Sequence, residues 1–108
     1  MNNTRGAPVE RLYPISAMGA YTRDGVVHVD EFCRDNNMTC TGFRAQGIID
    51  DDGDMISFVH VDLTPYGQDD RHHYVISCFT LWDENIAVKS IHTAGTNASE
   101  VFILGINP

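Results

Sequence analysis

The sequence predicts a single mainly-β domain, a small antiparallel sheet or partly closed barrel of six to seven strands with one short helix. Three observations predict it. The chain is 108 residues long, which is one core's worth, so residues 1–108 form one domain. Its apolar runs are dominated by β-branched and aromatic residues. Turn signals recur every 8 to 15 residues, and a single segment carries helix signals.

Residues 1–9 are polar with Gly6 and Pro8, and read as a loose arm. Pro14 opposes a helix in the next segment, leaving a short strand around Ile15 to Tyr21. Asp24-Gly25 is a tight-hairpin signal, and Val26 to Val29 follow it as a strand. Asp30 then occupies an N-cap position, Glu31 the first turn, and Asn36 and Asn37 the end of a two-turn helix. So short a helix depends on packing, which Phe32 and Cys33 supply.

The segments TGFRAQGIID and MISFVHVDL read as two strands joined by a turn at Asp51 to Asp54. Alternation puts Met55, Ser57, Val59, Val61 and Leu63 on one face, and Ile56, Phe58, His60 and Asp62 on the other. Residues 64–71 (TPYGQDDR) are a loop. A second hairpin is expected from HHYVISCFTLW and IAVKSIHTA around Asp83, Glu84 and Asn85. Its first strand, His72 to Trp82, is apolar on both faces, as a central strand would be. The last run, Val101 to Ile106, is uniformly apolar and belongs inside a sheet or in a subunit interface, where it would pair a homodimer.

Charge narrows the function classes. Fifteen acids against seven Lys and Arg give a formal charge of −8. Such a surface repels phosphate backbones, which argues against nucleic acid. It attracts a basic protein partner. No apolar run approaches the roughly 20 residues of a membrane-spanning helix, and the N-terminal stretch lacks a signal peptide's apolar core. The odd number of cysteines (Cys33, Cys40 and Cys78) argues against a full disulfide framework, although Cys33 and Cys40 would be able to bridge on oxidation. Cys78 reads as a buried small hydrophobe. These features together suggest a cytoplasmic protein.

Three constellations stand out. His60 and Asp62 project from one strand face about 7 Å apart along the chain. His92, on a later strand, would complete a two-histidine, one-carboxylate metal set of the kind that holds non-haem Fe(II). Phe58 and Trp82 would line a pocket beside it. The acidic turn Asp50, Asp51, Asp52 and Asp54, with Asp69 and Asp70 in the following loop, would face a basic partner. The turn does not fit an EF-hand, since Gly53 falls fourth in the run and no Glu follows at the required distance. His72 and His73 look like a loop-to-strand junction, and adjacent strand residues face opposite ways, so only one can serve a site.

Nucleophile motifs are missing: no Gly-x-Ser-x-Gly, Walker or dinucleotide glycine pattern occurs. The sequence therefore favours a non-catalytic acidic binding protein, without a cofactor, that sequesters or inhibits a basic partner. The alternatives are a small β-barrel ligand carrier or metal-dependent enzyme using His60, Asp62 and His92 with a divalent ion, and an assembly subunit.

Overall fold

A computed structural model describes residues 9–64, 72–79 and 81–107. The described strands are β1 (Glu10–Pro14), β2 (Thr22–Arg23), β3 (Val26–Val27), β4 (Thr39–Gln46), β5 (Ser57–Leu63), β6 (His72–Cys78), β7 (Trp82–Glu84), β8 (Ser90–His92) and β9 (Glu100–Ile106). One helix, α1 (Val29–Asp35), lies between β3 and β4. The strands form two antiparallel sheets, ordered β1-β9-β4-β7 and β2-β3-β8-β5-β6, rather than one sheet or a closed barrel.

Both sheets feed one core. Phe43 and Ala45 of β4 and Ile103 of β9 meet Val59 and Val61 of β5, Ile91 of β8 and Val27 of β3 in a single buried cluster. The alternation expected for 57–63 holds: Ser57, Val59 and Val61 are buried, while Phe58, His60 and Asp62 are only partly covered on the opposite face. The strand at 101–106 takes the inside position. β9 pairs with β1 on one side and β4 on the other, so it has no free edge along which to pair a second copy.

The Asp24-Gly25 turn joins β2 to β3 with both residues at positive φ (54° and 76°), as a type I′ turn requires. The helix begins two residues earlier than expected. His28, not Asp30, is the N-cap and makes no side-chain cap bond, while Asp30 and Glu31 sit in the first turn. Its end matches the sequence reading: Asn37 is left-handed (φ 51°), Asn37 N–H donates to Arg34 O and Met38 N–H to Cys33 O. That pair of bonds is a Schellman motif. Val29 and Cys33 face the core, and Phe32 meets the ring edges of Tyr13 and Tyr21 with centroids 5.6 and 5.5 Å away.

Four expectations need correction. The strand near Pro14 precedes the proline instead of following it, and Ile15–Ala17 and Gly19–Tyr21 are 3-10 turns. Pro14 needs no N–H at the end of β1, so a strand can run up to it. The turn at Asp51–Asp54 exists, but the hairpin does not. Only Ile49 and Met55 bridge beneath the turn, after which β4 and β5 part into different sheets. The hairpin around Asp83–Asn85 is also absent, since β7 pairs with β4 and β8 with β3 and β5. Finally, β6 is an edge strand, not a central one, with Tyr74 46% and Val75 51% exposed. Cys78 is buried in the core and Ile76 packs against it, whereas His72–Val75 lie open among the described residues.

Candidate functional site

Adjacent strands of the five-stranded sheet bring four titratable side chains together on the face away from the core. Register decides which ones. Asp62 on β5 lies opposite His73 on β6 and Ser90 on β8, and His60 lies opposite His92. Directly opposed residues share a face with Cβ atoms about 5 Å apart. One carboxylate is thereby flanked by histidines from both neighbouring strands.

Asp62 is the hub. Its Oδ2 accepts from Ser90 Oγ at 2.7 Å and lies 2.7 Å from His92 Nε2, and its Oδ1 lies 3.4 Å from His73 Nδ1. The other ring nitrogen of His73, Nε2, lies 3.0 Å from His60 Nδ1. Burial acts to push the Asp62 carboxyl up. The bonds from Ser90, His92 and His73 and the proximity of the His92 charge outweigh it, so its pKa falls below the ordinary carboxylate value. The carboxylate is thus ionised over the whole neutral range.

One ligand atom each from Asp62, His73 and His92 falls within 4.8 Å of the others. A tetrahedral ion with bonds near 2.0–2.1 Å needs ligand atoms about 3.3 Å apart. His73 Nδ1 stands at that spacing from Oδ1 while His92 Nε2 stands against Oδ2, so an ion held by both imidazoles takes the carboxylate through both oxygens or after it turns, and the 2.7 Å His92 contact must open by about 0.6 Å. Two imidazoles and a carboxylate suit Zn²⁺, Fe²⁺ or a similar divalent transition ion. Ser90 Oγ, itself fully buried, holds the carboxylate from behind, as an outer partner of a metal ligand does.

His60, Asp62 and His92 thus share one face, and Asp62 and His92 touch. The member missing from the sequence reading is His73, which stands between Asp62 and His60. The signal that finds it is strand pairing: 72–78 pairs with 57–63, and that register puts His73 beside Asp62. Pairing 72–82 with 86–94 hides it.

Among the described residues, Phe58 and Trp82 stand on different sheets. Phe58 is on β5 of the five-stranded sheet, while Trp82 is on β7 of the other sheet, packed on the core and against Phe79 at 5.8 Å. Neither belongs to the groove of about 430 Å³ between Pro14–Ser16 and Ala98–Phe102, nor to the cleft of about 220 Å³ at Cys33, Cys40 and Lys89.

At the acidic turn, Asp50 Oδ1 accepts the N–H groups of Asp52 and Asp54, both at 2.9 Å. Asp50 therefore builds the turn, while Asp51, Asp52 and Asp54 are exposed on it. Asp69 and Asp70 lie outside the described residues. The three cysteines are free and buried. Burial pushes the Cys33 and Cys78 thiols up to about 11, which leaves them protonated and poor nucleophiles at neutral pH. Among the described residues no helix is long and apolar enough to cross a membrane.

No protein-family model, curated protein or solved structure matches the chain.

Proposed function

We propose that this protein binds one divalent transition-metal ion on the outer face of its five-stranded sheet, with Asp62, His73 and His92 as ligands. The observation that carries this reading is the convergence of three ligand atoms from three adjacent strands within 4.8 Å. Strands linked by backbone hydrogen bonds hold their side chains with little freedom, so the ion meets a largely preformed site.

Titration of tag-free protein with Zn²⁺ or Co²⁺, followed by calorimetry and thermal unfolding, tests it. The expected result is one ion per chain and a stabilisation of about 2.7 kcal/mol at a free metal concentration of 100 Kd. Removing the ion with a chelator reverses the gain. Asp62→Ala, His73→Ala and His92→Ala each abolish the stabilisation. A wild-type chain whose unfolding is indifferent to these ions overturns the reading.

A second reading, docking of a basic protein on the acidic surface, draws support from the exposed Asp51, Asp52 and Asp54 on a turn fixed by Asp50. Charge of this kind acts chiefly on association rate and specificity.

A further inference from the structure

We infer that this metal centre is open: it has three protein ligands, His60 is a positioning residue rather than a fourth ligand, and a solvent-facing position takes an exchangeable oxygen- or nitrogen-donor ligand. The inference rests on the metal reading above and specifies its coordination.

Neither nitrogen of His60 is turned toward the Asp62–His92 pair. Nδ1 lies 3.0 Å from His73 Nε2. Nε2 faces Gly95, where even an added Cβ would stand only 2.8 Å away. Gly95 has φ +86°, a conformation that side chains other than glycine's rarely adopt, so the loop is built to let the His60 ring lie against bare backbone. The same loop fixes the backbone beneath. His60 N–H donates to Thr96 Oγ1 at 2.9 Å, and Thr96 Oγ1 donates to His92 O at 2.6 Å. One threonine thus ties the His60 strand to the His92 strand.

His73 lies between His60 and Asp62. Its Nδ1 faces Asp62 and its Nε2 faces His60. A histidine that binds metal through one nitrogen commonly gives the proton on the other to an acceptor, which sets both tautomer and ring orientation. His60 Nδ1 is that acceptor. With His60 held in this role, the ion has three protein donors, the arrangement of sites that keep one position open, whereas structural zinc sites close with four. The open side is the solvent side, since the His73 and His92 side chains are 45% and 32% exposed while Asp62 is 15% exposed.

Co²⁺ is the probe. The whole chain is loaded with Co²⁺ and its visible spectrum followed during titration with azide, and X-ray absorption counts the imidazoles. The expected results are a saturable spectral shift with azide and two imidazoles per ion. His60→Ala should weaken Co²⁺ binding about 10- to 100-fold without changing the imidazole count. His60→Asn, whose side-chain oxygen can take the place of Nδ1 as acceptor, should recover most of the loss. Three imidazoles in the wild type, a spectrum blind to azide, or unchanged affinity in His60→Ala overturns the inference while leaving the metal reading standing. If the wild type yields no cobalt spectrum, both fall together.

Discussion

Ser57 shows how a single buried hydroxyl can hold two segments together. It lies among Val59, Val61 and Cys78 with no solvent exposure, in a position that strand alternation assigns to an apolar residue. Its Oγ accepts the Ile48 N–H at 2.7 Å and donates to Cys78 O at 3.0 Å. It therefore satisfies the backbone where the chain leaves β4 for the Asp50 turn, a stretch with one isolated bridge and no ladder. A buried donor that loses its acceptor costs about 1–3 kcal/mol. Ser57→Ala should lower unfolding free energy by that amount in urea and speed hydrogen exchange at the Ile48 amide. Loss of stability without faster exchange at Ile48 would place the effect elsewhere.

At the scale of elements, close strand approach depends on glycine. A Cβ on Gly42 of β4 would run into the Glu84 carbonyl oxygen of β7, with Asn85 Cα only 3.2 Å away. Those neighbours are backbone, and β7 is held to β4 by just three residue pairs. A Cβ on Gly105 would instead meet the thioether end of Met38, a flexible side chain that can move aside. Gly42→Ala should therefore cost about 1–3 kcal/mol, and Gly105→Ala less than about 1 kcal/mol, read as the shift in urea midpoint. Equal shifts would contradict the distinction. Local chemistry was readable in the sequence: the Asp24-Gly25 turn, the Asn37 helix end and the alternation of 57–63 are set by neighbours in the chain. Pairing was not. Six of the eight connections between the described strands change sheets, so the assumption that sequential strands form hairpins fails repeatedly. The site shared this limit. His60, Asp62 and His92 follow from side-chain type and alternation, whereas His73 follows only from the β5–β6 register.

For the molecule as a whole, long-range repulsion opposes a short-range attraction. A formal charge of −8 keeps copies apart at low ionic strength. Against it stands β6, which ends its sheet among the described residues and exposes Tyr74 and Val75. Its seven residues, His72–Cys78, contain no acid or Lys or Arg, so the strand itself contributes no fixed charge to the repulsion. Unpaired strand edges with apolar side chains recruit other strands, and natural edges are commonly blocked by lysine. The Debye length falls from about 30 Å at 0.01 M salt to about 3 Å at 1 M, so salt removes the repulsion and leaves the edge attraction in place. Sedimentation of the metal-free protein should therefore show monomers at low salt and self-association that grows with salt. Val75→Lys should suppress that growth without unfolding the chain, because Val75 is half exposed and outside the buried cluster. Docking of a basic protein on the acidic surface would have the opposite salt dependence, weakening as salt rises. Self-association indifferent to Val75→Lys would mean that another surface brings the copies together.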